Sequence, residues 1–149
     1  MQRRTRNRIC IWLIFAGLLN FVVYTVVYAE LGGDAKNGGY RYVPDESGQP
    51  RKTYYIMGHF IHGPGGRDRE VSKSVWIYSY LHSISLWPTQ AMIVICLMIL
   101  ARPHIIATMQ ESNLIRGPTF IVVIITVTAL LCAAMTAVFT IDFFRALSG

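Results

Sequence analysis

Four histidines are the residues best suited to chemistry here, and their positions decide which chemistry is open to them. His59 and His62 stand close together in a stretch rich in glycine and proline, His82 follows in an apolar stretch, and His104 lies beyond the far end of that stretch. Imidazole suits zinc, copper, iron and nickel, so His59, His62 and His82 form a candidate metal set. A further ligand would have to come from a carboxylate such as Asp34 or Glu70, which no spacing rule selects. His82 and His104 are about 20 residues apart, or roughly 30 Å of helical rise, so they cannot share a haem. His82 is the only histidine within an apolar stretch, and a bis-histidine haem between helices is not expected. The primary expectation is that no cofactor is bound; the alternative is a metal, haem, quinone or pigment held by His82 with His59 and His62.

Other catalytic signatures are missing. The cluster Gly63, Pro64, Gly65 and Gly66 lacks the lysine and the serine or threonine of a phosphate loop. No carboxylate pair falls within an apolar stretch. Cys10, Cys96 and Cys132 each belong to a different apolar stretch, without zinc spacing or a disulfide framework, and read as small core-filling residues. No enzyme activity is expected.

The elements that carry these residues follow from composition. Of the 149 residues 53% are hydrophobic and only 15% charged, and the apolar ones are gathered into three blocks, residues 9–29, 75–101 and 118–144. Each exceeds the roughly 20 residues needed to cross a hydrocarbon core of about 30 Å. Backbone groups in hydrocarbon must pair within their own segment, and no alternating barrel pattern is present, so the blocks are expected to be helices. The expected class is an all-α membrane protein, a single membrane domain over residues 1–149 with three transmembrane helices. The first block resembles a secretory signal, but it is longer than the usual apolar region of about 7 to 15 residues, and it is expected to be an uncleaved anchor.

Orientation follows from arginine and lysine near the ends of the spans. Arg3, Arg4, Arg6 and Arg8 precede the first block with no acid among them, which places the amino terminus in the cytoplasm. Residues 30–74 are then an external loop, residues 102–117 a cytoplasmic loop, and the carboxyl terminus is external. The external segment carries seven basic and six acidic residues, so the net charge of +6 comes mostly from the cytoplasmic side. Such a tail favours anionic lipid headgroups; a nucleic-acid role would need a basic folded face, and none is expected.

Within the external loop, Tyr40 to Val43 and Lys52 to Met57 are aromatic and β-branched, and the residues between them, Pro44 to Pro50, form a turn cluster. A small β-hairpin cap is expected there. Two strands alone are marginal in water, so the hairpin must rest on the helices or on a partner.

Polar residues in the spans mark packing faces. Ser79, His82, Ser83 and Gln90 share one helical face, which should look inward, and Pro88 should kink the same helix. Asn20, one turn after Ala16 and Gly17, offers a polar contact and a close approach. Ala129, Ala133 and Ala137 recur every four residues, a small-residue stripe that suits another helix. Helical rise puts His82 at the depth of Tyr28 and of residues 138–140, about one turn from Asp142, and the expectation is that His82 bonds Asp142 or a tyrosine.

Leu31, Gly32, Gly33, Asp34 and Ala35, followed by Asn37 and Gly38, open a longer pattern. It continues through Tyr54, Tyr55, Gly58, His59, Glu70, Val71, Ser72, Tyr78, Ser79 and His82. Together they resemble a group of small, uncharacterised bacterial integral membrane proteins, over the first two spans and the loop between them. The resemblance implies a bacterial cytoplasmic membrane and no particular activity. The expected partners are the lipid bilayer and other membrane subunits, or further copies of the chain. The expected function is that of a non-catalytic accessory or structural subunit of a larger membrane complex, of respiratory or photosynthetic type. An oligomeric channel or transporter is the remaining class: internal repeats are not visible, and three helices alone are few for a translocation path.

Overall fold

A computed structural model of the chain describes residues 3–46, 48–58, 68–112 and 116–148. Three long helices, α1 (Arg3–Leu31), α3 (Lys73–Ser112) and α4 (Gly117–Ser148), carry most of the chain. Between α1 and α3 lie a single helical turn, α2 (Ala35–Gly38), and three strands, β1 (Gly39–Pro44), β2 (Pro50–Met57) and β3 (Asp68–Val71). All three long helices are long and apolar enough to cross a membrane. The chain is thus mostly helical, as expected, with a small sheet between its first two long helices.

The sheet is antiparallel in the order β1-β2-β3. The expected hairpin is present: Tyr40 pairs with Tyr54 and Tyr42 with Lys52. Asp45 organises the turn, accepting at its side chain from the Gln49 amide at 2.9 Å and at its carbonyl from the Gly48 amide, with Gly48 at φ 78°. The hairpin expectation has to be extended by β3, whose Val71, Glu70, Arg69 and Asp68 face Tyr54, Tyr55, Ile56 and Met57. A strand reading Asp-Arg-Glu-Val has no apolar alternation to announce it. An edge position, with one side left to solvent, accommodates such charges.

The second correction concerns residues 102–117, expected to be a loop. The helix begun at Lys73 runs on through Pro103 to Ser112. Loss of apolarity ends a membrane crossing but not a helix, and packing sustains this one: Gly117 sits so close to Ile106 that a Cβ there would lie 2.7 Å from the Ile106 Cα. At 1.5 Å per residue, the 40 residues of α3 span about 60 Å, twice what a crossing needs.

Two compact units are distinguished by their internal packing, residues 1–21 with 86–136 and residues 22–85 with 137–149. In the first, α1 and α3 approach closely where Gly17 meets Ile93 and Thr89, and a Cβ at Gly17 would come within 2.8 Å of the Ile93 side chain. Asn20 donates from its amide to Thr89 Oγ1 at 3.1 Å. Cys10 and Cys96, both buried, are neighbours across the two helices. The second unit holds the cap and its core of Ala35, Tyr54, Ile56, Trp76, Tyr80 and Phe143. Tyr54 and Ile56, two residues apart on β2, present one face of the sheet to Trp76 and Tyr80 on α3 and Phe143 on α4. Trp76 is fully buried, with ring centroids 5.2 Å from Tyr54, 5.0 Å from Tyr80 and 6.0 Å from Phe143. The sheet, marginal alone, therefore rests on the helices.

Candidate functional site: a buried aspartate beneath the cap

Asp34 ends the Leu-Gly-Gly-Asp turn and is 7% exposed, the most deeply buried acid among the described residues. Its extended backbone (φ −127°, ψ 164°) makes it the N-cap of α2, and its Oδ1 accepts from the Asn37 amide at 2.9 Å. Short polar side chains at this position satisfy amides that the first helical turn leaves without partners. Its Oδ2 accepts from the Tyr24 hydroxyl of α1 at 2.7 Å and from Ser83 Oγ of α3 at 3.5 Å. Ser79, one turn before Ser83, accepts the Ala35 amide at 3.1 Å. One carboxylate thus gathers α1, α2 and α3, and its three donors replace the water that burial removes.

The glycines around Asp34 are required by close approach. A Cβ on Gly33, at φ 153°, would lie 2.2 Å from the Met57 carbonyl carbon; one on Gly38 would lie 2.1 Å from the Tyr55 carbonyl oxygen. The backbone of the turn therefore lies directly on β2, where Asp34 and Met57 form an isolated bridge. The Gly-Gly-Asp-Ala and Asn-Gly spacing has a structural explanation.

Lys36, two residues on, reaches α4. Its Nζ lies 2.5 Å from Asp142 Oδ2, 4.7 Å from the Phe139 ring centroid and 6.0 Å from that of Tyr80. Partial burial opposes the lysine charge, but the hydrogen bond to Asp142 and the charges around it outweigh burial and hold its pKa above the ordinary 10.5. Lys52 of β2 fastens the same helix further on, donating to the Ala146 carbonyl at 2.7 Å with its ammonium 4.1 Å from the Tyr40 ring centroid. On the outer face of the sheet Arg41 pairs with Asp68 and lies over Tyr55.

The residues singled out from the sequence are placed as follows. Ser79 and Ser83 are buried and meet the Asp34 turn. Asn20 donates to Thr89 of the neighbouring helix. His82 stands edge-on to Tyr24, with centroids 5.4 Å apart, and to Tyr78 at 5.7 Å. Asp142, the partner expected for His82, is held by Lys36. Gln90 is exposed; at that level α3 meets α1 through Thr89 and Ile93. In the alanine stripe Ala129 is half-buried while Ala133 and Ala137 are exposed, because α4 turns Ile121, Cys132 and Phe143 inward. α3 stays continuous through Pro88. His59 and His62 lie outside the described residues, and among the described residues no three histidine, cysteine, aspartate or glutamate side chains converge on a point that could hold a metal.

Sequence reasoning missed Tyr24, Lys36 and Lys52 and weighed Asp34 only as a ligand. Two signals were there to be read. An aspartate three residues before Asn37 at the start of a turn has capping spacing, and a tyrosine deep in an apolar helix requires a hydroxyl partner. Chemically the arrangement is a clasp: a satisfied carboxylate, an ion pair and an aromatic core. Comparison with models of protein families, with curated proteins and with solved structures finds no match to this chain.

Proposed function

We propose that this chain is a multi-pass membrane protein that serves as a non-catalytic accessory subunit of a larger membrane assembly, with its amino terminus cytoplasmic and its cap and carboxyl terminus external. The supporting observation is the contrast between its parts. The cap and the helix ends beneath it share a well-packed aromatic core, whereas only 11%, 6% and 11% of the most apolar windows of α1, α3 and α4 are buried. Trp12, Leu130, Leu131 and Phe144 are each more than 60% exposed. Apolar surface on that scale needs lipid or protein against it. A clasp of this kind suits a protein that holds a shape and offers surfaces. On the α4 surface, Ala133 and Ala137 lie among Leu130, Val138 and Ile141, where small side chains let another helix backbone approach.

The test is a paired comparison. A photo-crosslinking residue at Ala133 in native membranes is expected to capture one defined membrane protein. Ala133→Leu should abolish copurification with it in mild detergent, overpacking costing typically about 1–3 kcal/mol, while leaving the melting of the isolated chain unchanged. A chain that purifies alone, and whose absorbance or metal content reveals a bound group, would replace this reading with the cofactor reading at His82, His59 and His62.

A further inference from the structure

At the amino-terminal end of α1 the same unit gathers arginines from three helices. Within residues 1–21 and 86–136 there are six arginines and a single acid, Glu111. Register brings them to one level. Gly17 meets Ile93 between antiparallel helices, so Arg8 and Arg102, each nine residues further toward that end, lie at one level, about 13 Å beyond the contact and about half a turn around each helix from it. The neighbouring pair Cys10 and Cys96 shows that α1 and α3 stay together on the way. Arg6 and Arg3 precede Cys10 by four and seven residues and so share the α1 face that carries it. Gly117 packs on Ile106, one turn past Arg102, which brings Arg116 and the amino-terminal end of α4 to the same place. That end adds positive dipole of its own.

None of the six arginines has an ion-pair partner among the described residues, and the Nε of Arg6 is buried with no hydrogen-bond partner among them. Their apolar border is exposed: Ile9 is 45%, Ile11 57% and Trp12 69% accessible. Guanidinium groups beside a strip of exposed aliphatic and indole surface offer two things at once, forked donors for a phosphate and a wall for acyl chains. A free anion would use only the first.

We infer that Arg6, Arg102 and Arg116, with Arg3, Arg4 and Arg8 flanking, form a headgroup site for anionic phospholipid, the phosphate among the arginines and the acyl chains along Ile9 and Trp12. This goes beyond attraction of a charged tail, because two of the arginines belong to the facing ends of α3 and α4. It rests on the membrane reading above, which membrane insertion tests separately.

The purified full-length chain is passed through detergent carrying equimolar phosphatidylglycerol and phosphatidylcholine, and the lipid retained by the protein is measured by native mass spectrometry. Phosphatidylglycerol should be retained in preference by about tenfold or more, given the strength of attraction of several basic residues to an anionic headgroup. Arg102→Gln/Arg116→Gln, two exposed positions, should lose most of that preference, and Arg51→Gln on the cap should keep it. Inorganic phosphate should not displace the lipid. Equal retention of the two lipids would overturn the inference, as would a preference untouched by the double variant, which would assign it to the tail alone, or displacement by inorganic phosphate, which would mark a free-anion site. Insertion of wild type and double variant into pure phosphatidylcholine vesicles keeps the outcomes apart: embedded protein without selectivity defeats this inference alone, and failure of the wild type to embed defeats it together with the membrane reading.

Discussion

Tyr24 and Lys36 show how single residues hold the cap to the helices. The Tyr24 hydroxyl is one of three donors to a buried carboxylate, so Tyr24→Phe keeps the ring against His82 and leaves Asp34 short of a partner. The expected loss is about 1–3 kcal/mol, measured by denaturant or thermal unfolding in detergent. Lys36 sets a pH window. Its folded pKa lies above 10.5, so its contribution is fully present below the unfolded value and is lost as pH rises through the folded one. The difference in melting temperature between wild type and Lys36→Gln should be constant from neutral to mildly alkaline pH and should shrink above about pH 10.5. Helical rise puts Asp142 about one turn from the depth of His82, but depth alone does not say which cation is nearer, and Lys36 arrives from a turn whose fold the spans do not reveal.

At the scale of elements, α2 is the piece on which the cap turns. It is four residues long and cannot stand on helix propensity, which makes isolated helices shorter than about 12–15 residues marginal. Its place is fixed by Asp34 at one end and by Gly38 lying on the Tyr55 carbonyl at the other. Gly38→Ala puts a methyl 2.1 Å from that carbonyl oxygen without any demand for a left-handed backbone, so its effect isolates the steric term. The cap should loosen, with a loss of about 1–3 kcal/mol and faster amide exchange in β2. Such packing explains what could be read in advance. The hairpin was legible because Tyr40–Val43 and Lys52–Met57 are rich in aromatic and β-branched residues on either side of a strong turn; β3 was hidden because Asp68–Val71 borrows its order from β2. The three spans were legible from apolar length, and the extension of α3 to Ser112 was not, because Ile106 is held by Gly117 from elsewhere in the chain.

For the whole molecule, the division of labour between charge and apolar surface decides the account. Five of the six net positive charges belong to residues 1–21 and 86–136, and the cap with its supporting helix ends is close to neutral. Under the proposed topology this asymmetry, with three helices long and apolar enough to cross a membrane, is expected to leave the β1–β2 turn and the carboxyl-terminal end of α3 on opposite sides of it. The faces left to lipid or to a partner could be found only by locating the core: the alanine stripe was visible as spacing, but spacing alone could not tell that Ile121, Cys132 and Phe143 face inward and Ala133 outward. The most direct measurement is labelling of single cysteines, placed at Glu46 in the turn and at Glu111 near the end of α3 in a chain lacking Cys10, Cys96 and Cys132, with a membrane-impermeant maleimide. Glu46→Cys should react on intact cells and Glu111→Cys only after the membrane is opened; reaction of both from the same side, or the reverse order, would contradict the account.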